Sequence, residues 1–194
     1  MIKNKKIKIE VSARHVHLTE IDFIKLFGKG KFLTPLRKLS QPGMFAAKET
    51  ITLVNKDKKI TNVRIVGSFR TKTQVEISLT DAYYLEIKPA IRKSGNIKGS
   101  SGITIIGPKG RVFIKEGVIA AQRHIHASPA IAKKNKIKNG QIVSVEVKGK
   151  RKITFHNVVI RVKPDFNWHM HIDTDEANAA GMDNKNNIGE VIVA

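Results

Sequence analysis

The stretch Arg14-His15-Val16-His17 is repeated later in the chain as Arg123-His124-Ile125-His126. Each copy lies at the end of a hydrophobic run in which apolar and polar residues alternate as in a β-strand. Side chains two residues apart in a strand project from the same face of the sheet. Each His-x-His pair therefore directs two imidazoles toward one point, which is the beginning of a metal site. The pattern predicts two metal sites, each on a histidine-bearing strand.

The repeat extends well beyond the two histidine pairs. When Asn62 is set opposite Asn157 without gaps, the segments that follow are alike, and Glu76 falls opposite His171. Each half then offers a His-x-His pair and one later ligand, and three protein ligands with an open position are typical of catalytic zinc. The predicted ligand sets are His15, His17 and Glu76 in the first half and His124, His126 and His171 in the second.

The role of Glu76 depends on the repeat. Glu76 lies in Gln74-Val75-Glu76-Ile77-Ser78, an alternating strand whose polar face would ordinarily be solvated. Its equivalence with His171 makes it a candidate ligand. His169 shares a strand face with His171, but its repeat partner is Gln74, so we expect it beside the ligands or in a structural role.

Composition predicts an ordinary globular protein. The chain has 194 residues, of which 41% are hydrophobic and 27% charged, enough for one large or two small domains. The absence of cysteine excludes disulfides, thiolate ligands and a cysteine nucleophile. No apolar run approaches the roughly 20 residues of a membrane span, and the N-terminus alternates like a strand rather than a signal peptide. We therefore expect a cytoplasmic protein that does not bind membranes.

The net charge of +20 predicts attraction to polyanions. The lysines are scattered through predicted loops and strand ends, and they accompany no zinc finger, RNA-recognition motif or series of stacking aromatics. A specific nucleic-acid partner is therefore not expected. The surplus would equally favour a phosphate-rich small substrate.

Alternating segments dominate the chain and predict a mainly β fold with short helices. A helix capped by Thr19 should end before Gly28, and Ser128-Pro129 should open its counterpart in the second half. Further helices are expected near Thr80 and Thr174. We predict a first half over residues 1–88, a linker rich in glycine, serine and lysine over 89–102, and a second half over 103–194.

Long phrases spread over nearly the whole chain resemble those of the PduL-type phosphotransacylases. The phrases include Val11-Ser-Ala-Arg-His-Val-His-Leu, Lys72-Thr-Gln-Val-Glu-Ile-Ser, Ala121-Gln-Arg-His-Ile-His and His171-Ile-Asp-Thr-Asp-Glu-Ala-Asn-Ala-Ala-Gly. The resemblance implies two tandem related β-barrels with a metal site at their interface, and a homodimer. It also implies reversible transfer of an acetyl or propanoyl group between coenzyme A and inorganic phosphate, with two Zn²⁺ ions per chain.

The resemblance also assigns roles to single residues. It makes the two sets found from the repeat the ligands of the two zinc ions. It makes Arg70 a phosphate-binding residue, a task suited to the planar guanidinium. The positions that match the family's contacts to coenzyme A are Ser12, Arg37, Arg64 and Asn178.

Two other classes of function stay open on the sequence. A dinuclear metal-dependent hydrolase of thioesters or phosphate esters would use the same ligands but would need no phosphate acceptor. A basic protein that binds nucleic acid or another polyanion would depend on the charge alone.

Overall fold

The computed structural model describes residues 5–182 and 187–192, and this part of the chain is mainly β, as predicted. The strands are β1 (Lys6–Ser12), β2 (His15–His17), β3 (Pro35–Lys38), β4 (Phe45–Asn55), β5 (Lys58–Gly67), β6 (Gln74–Glu76), β7 (Ala90–Arg92), β8 (Ser101–Ile106), β9 (Arg111–Ala121), β10 (His124–Ala127), β11 (Ile142–Val147), β12 (Ile153–Val162), β13 (His169–Asp173) and β14 (Ile188–Ile192). The helices are α1 (Glu20–Phe27), α2 (Leu79–Tyr84), α3 (Pro129–Asn135) and α4 (Thr174–Ala179).

Residues 13–121 form one compact unit, which we call the first barrel. Its strands pair in the order β4-β5-β2-β6-β9, and β8 closes the ring because it pairs with both β9 and β4. Strand β3 extends the sheet beside β4, and β7 extends it beside β9. The interior is filled by buried aliphatic side chains such as Leu53, Ile65 and Val75.

Residues 1–12 and 122–194 form the other compact unit, the second barrel. Its described strands close in the order β1-β13-β10-β12-β11-β14. Its core includes Ile125, Val145, Ile160 and Met170, each fully buried. Two separate cores confirm the prediction of two related barrels.

The two rings have the same topology. In each, the His-x-His strand runs parallel to one neighbour (β5 or β12) and antiparallel to the other (β6 or β13). His15 lies directly opposite Glu76, and His124 lies directly opposite His171. This is the register that the gapless repeat predicted.

The division of the chain differs from the predicted one. Strands β8 and β9, which the sequence placed in the second half, belong to the first barrel, and β1 belongs to the second. The predicted linker at 89–102 contains β7 and the start of β8. Alternation reveals that a segment is a strand but not which strand it pairs with, so the boundary could not be read locally.

The short helices begin where side-chain caps predicted them. The hydroxyl of Thr19 accepts a hydrogen bond from the amide of Asp22 at 3.1 Å, and Gly28 ends α1 with a φ of 97°. Ser128 caps α3, with Pro129 in the first turn. None of the described helices is long and apolar enough to cross a membrane.

Truncation of a core side chain should distinguish the barrel interior from its surface. Ile160 is fully buried in the second barrel, whereas Ile142 on the neighbouring strand β11 is 51% exposed. We expect Ile160→Ala to lower the free energy of unfolding by about 2–5 kcal/mol, because it removes buried methyl groups and leaves a cavity. Ile142→Ala should cost no more than about 1 kcal/mol. Denaturant unfolding measures both, and equal losses would contradict the assigned core.

Candidate metal centres

The first ligand set converges on one point in the first barrel. His15 and His17 share a face of β2, and Glu76 faces them from β6. One ligand atom from each of the three residues lies within 4.8 Å of the other two. His15 Nε2 is 3.8 Å from Glu76 Oε2, and His17 Nε2 is 3.9 Å from Glu76 Oε1. Donors around one tetrahedral zinc lie roughly 3.3 Å apart, so small side-chain rotations would complete the site.

Backbone carbonyls orient both imidazoles of this set. His15 Nδ1 lies 2.9 Å from the carbonyl oxygen of Ala13, and His17 Nδ1 lies 3.2 Å from that of Val66. A ring that donates Nδ1–H to a carbonyl keeps its Nε2 lone pair for a metal. In both residues Nε2 is the nitrogen that faces Glu76.

Glu76 is held by a network of polar side chains. Its Oε1 accepts hydrogen bonds from Gln74 Nε2 at 2.6 Å and from Ser94 Oγ at 2.7 Å. The guanidinium of Arg70 in turn donates to Ser94 Oγ at 3.2 Å. The amide of Gly95 donates to Gln74 Oε1 at 2.7 Å, which fixes the orientation of that side chain. Arg70 is therefore connected to the metal-ligand candidate through a single hydroxyl.

These neighbours keep Glu76 ionised although it is buried. Burial by itself raises the pKa of the carboxyl group, but the electrostatic interaction with the neighbouring His15 and His17 lowers it. The hydrogen bond from Ser94 and the charge of Arg70 add to this, and the pKa of Glu76 falls to about 2. The carboxylate is thus in the form that binds a metal.

The second ligand set lies at the equivalent place in the second barrel. His124 and His126 project from β10, and their Nε2 atoms are 3.1 Å apart. His171 faces them from β13, with ring centroids 5.2 Å from His124 and 4.4 Å from His126. His124 Nδ1 lies 2.8 Å from the carbonyl oxygen of Gln122, which repeats the contact of His15 with Ala13. Within the described residues, only the first set has three ligand atoms already converged.

Two buried imidazoles, one in each set, are held neutral. Burial and the nearby His171 and His124 lower the pKa of His126 to about 2. Burial, the neighbouring His15 and the charge of Arg70 lower the pKa of His17 well below its usual value. A metal binds the neutral ring, so these side chains need lose no proton to act as ligands.

The side chains around the second set differ from those around the first. Glu10 lies opposite His171 on β1, with Oε2 3.8 Å from His171 Nδ1 and Oε1 3.9 Å from His169 Nε2. His169 thus lies beside the ligands, as the repeat predicted. The ring of Phe166 stacks on His126 at a centroid distance of 3.6 Å. The second ligand set therefore has a carboxylate beside it, whereas the first set has a carboxylate among its candidate ligands.

The structure places the four candidate contacts to coenzyme A in two groups. Arg37 is exposed on β3, and Arg64 on β5 donates to the carbonyl oxygens of Ala47 at 3.1 Å and Lys48 at 2.7 Å. Both lie in the first barrel. The other two belong to the second barrel: Ser12 at the end of β1 and the exposed Asn178 in α4.

Sequence reasoning missed three residues of these centres. Ser94 lay in the predicted linker, and only the fold of residues 93–100 brings its hydroxyl to Glu76. Glu10 lay in the N-terminal strand, which the sequence assigned to the first half of the chain rather than to the half that contains His171. Gln74 was noted only as the repeat partner of His169. The repeat could have indicated Gln74, but no local signal distinguished Ser94 or Glu10.

The donor sets fit zinc. Imidazole nitrogens and a carboxylate oxygen are both common zinc ligands, and three protein ligands in each set would leave one position of a tetrahedral ion open. His15, His17 and Glu76 would hold one ion, and His124, His126 and His171 the other.

The chain is similar to known proteins over most of its length. A family model described as phosphate propanoyltransferase matches residues 8–183. The chain is 50% identical over 179 residues to a phosphate propanoyltransferase of Thermotoga maritima, which covers 92% of this chain and 85% of the relative. It is 53% identical over 175 residues to one of Lachnoclostridium phytofermentans, covering 90% and 82% of the two chains. It is also 46% identical over 184 residues to one of Salmonella typhimurium, covering 94% and 87%. The matches span both barrels and both ligand sets, and the chain belongs to the phosphate propanoyltransferase family.

Proposed function

We propose that the protein transfers a short acyl group, acetyl or propanoyl, reversibly between coenzyme A and inorganic phosphate. Membership of the family supports this reaction class. The observation that carries the proposal is the Arg70–Ser94–Glu76 connection, since it joins an anion-binding guanidinium to a metal ligand. A site that must hold phosphate beside a metal requires both groups.

Two zinc ions, when bound, would polarise the thioester carbonyl and stabilise the departing thiolate of coenzyme A. The residues that hold them do not need to react. His15, His17 and Glu76 supply two neutral donors and one negative charge, whereas His124, His126 and His171 supply three neutral donors. The two centres therefore differ in charge, which suits a reaction with one thiolate and one phosphate.

Arg70 is proposed to position the phosphate. Its planar guanidinium can hold two oxygens of the anion, and its bond to Ser94 restrains the side chain. The phosphate oxygen then attacks the thioester carbon directly, a C–O bond forms, and the C–S bond breaks to give acyl phosphate and thiolate. No protein nucleophile takes part. Holding both substrates together contributes on the order of 7 kcal/mol through proximity.

Coenzyme A is proposed to contact Ser12, Arg37, Arg64 and Asn178. Arg37 is exposed and offers its charge to a phosphate group of the nucleotide. Arg64 already bonds to two backbone carbonyls, so it would contribute through its remaining donors. We also propose that the protein acts as a homodimer.

A hydrolase remains the second candidate, because the same ligand sets could activate water. We expect release of free coenzyme A from acetyl-, propanoyl- and butanoyl-CoA to require phosphate and to saturate with it. Hydroxylamine trapping should show acyl phosphate in equal amount. Release of coenzyme A at the same rate without phosphate would favour hydrolysis.

A polyanion-binding protein is the other alternative. It would be favoured by strongly salt-dependent DNA binding that persists after the metal is chelated, together with an absence of acyl transfer.

Removal of one ligand from each set should remove metal and activity together. Glu76→Ala and His171→Ala should each lose about one equivalent of zinc per chain, because two remaining donors hold the ion weakly. Elemental analysis and the phosphate-dependent assay measure the two effects. The control is Glu86→Gln, which changes a carboxylate that is 48% exposed in the first barrel. Full zinc and full rate in both ligand variants would show that the ligands are wrongly assigned.

Substitution of Arg70 should affect phosphate more than coenzyme A. Arg70→Gln removes the guanidinium, and we expect kcat/KM for phosphate to fall at least about 100-fold, since a charge-assisted bidentate contact is lost. Arg70→Lys keeps the positive charge but lacks the planar guanidinium that can hold two oxygens, so it should recover only part of the lost kcat/KM. The exposed Arg111 of the same barrel provides the control Arg111→Gln. An unchanged dependence on phosphate concentration would exclude Arg70 from phosphate binding.

A further inference from the structure

The first residue of each Arg-His-x-His phrase is an arginine that pairs with a carboxylate at the equivalent position of its barrel. Arg14 Nε donates to Asp81 Oδ2 at 2.9 Å, and a terminal nitrogen of the same guanidinium lies 2.7 Å from Asp81 Oδ1. Arg123 Nε lies 2.6 Å from Glu176 Oε1. Asp81 follows Glu76 by the same interval at which Glu176 follows His171. Neither the ligand sets nor the proposed substrate contacts use these arginines.

Both carboxylates are also helix caps. Asp81 is the third residue of α2 and completes a capping box with Ser78, and Glu176 does the same in α4 with Asp173. The backbone amide of Asp173 donates to Glu176 Oε2 at 3.1 Å. Each carboxylate is therefore fixed to the turn that directly follows the third-ligand strand. The arginine, in turn, directly precedes the first histidine of its set.

We infer that the pairs Arg14–Asp81 and Arg123–Glu176 position the metal ligands by joining the His-x-His strand to the turn after the third ligand. The need for such a link is clear in the first barrel, where β2 and β6 are each only three residues long. A ladder this short has few hydrogen bonds to resist rotation of one strand against the other. The two-pronged contact of Arg14 with Asp81 restricts both distance and orientation, and Arg123 holds Glu176 through Nε.

The Arg14–Asp81 pair has one buried and one solvated partner. The side chain of Asp81 is only 6% exposed, whereas that of Arg14 is 45% exposed. Because Asp81 is buried, loss of its partner also lowers the stability of the fold, so positioning has to be tested apart from stability. The second barrel keeps the pair although its acid is longer, and Arg123 there also donates to the carbonyl oxygen of His156 at 3.2 Å. The pairing is thus repeated, although the acid and the number of contacts differ.

This inference rests on the proposed metal centres, so the test measures metal binding directly. Zinc affinity of the full chain is measured by competition with a chromophoric chelator, and stability is measured by denaturant unfolding of the metal-free protein. We expect Arg14→Gln to weaken one of the two zinc sites by about 10- to 100-fold, the range for residues that orient ligands. Arg123→Gln should weaken the other site. Arg14→Lys, which keeps the charge, should recover part of the affinity.

The matched control is Lys56→Gln in the first barrel. It removes a cation whose ion pair with Glu86 is exposed and lies on other elements, and it should leave both zinc affinities unchanged. Metal-free Arg14→Gln should be less stable than this control, because Asp81 loses a buried partner, but it should stay folded under the conditions of the zinc titration. Zinc binding by Arg14→Gln at wild-type affinity would overturn the inference. So would a loss of zinc binding that occurs only where the metal-free variant is itself unfolded. Failure of the wild-type chain to bind zinc would overturn the proposed metal centres themselves.

Discussion

The antiparallel pairing of each His-x-His strand with its third-ligand strand is the constraint on which both candidate centres depend. In a sheet, a shift of one residue moves every side chain to the opposite face. Such a shift between β2 and β6 would turn His15 and His17 away from Glu76. The two strands are too short to specify this register alone. It is set by their outer neighbours, since β5 and β9 hold them on either side in a closed ring.

Closure of the second barrel depends on distant parts of the chain. Strand β1 near the N-terminus pairs with β13 and β14 near the C-terminus. Pairing residues so far apart in sequence closes a long loop, which costs entropy before the contacts between the strands compensate for it. The first barrel, by contrast, is continuous over residues 13–121. The duplicated segments therefore form the same topology from differently connected pieces of chain.

The two candidate centres differ in the charge that they bury. The first contains an ionised carboxylate, and its burial is offset by Gln74, Ser94 and the nearby guanidinium of Arg70. A buried charge without such partners would be strongly unfavourable. The second contains imidazoles, of which His126 is held neutral, and its nearest carboxylate is the outer Glu10. A shared topology thus carries two sites of unequal charge.

Much of this arrangement was already determined by the sequence, because it depends on local pattern and internal repetition. Alternation predicts the strands, and the caps at Thr19 and Ser128 predict the starts of two helices. The repeat aligns Glu76 with His171, and the strand registers confirm that alignment. Tertiary structure alone decided that β1 closes the second barrel and that Ser94 reaches Glu76. The physical reason is that periodicity specifies which face a side chain occupies, whereas strand partners and loop contacts arise only when distant segments pack together.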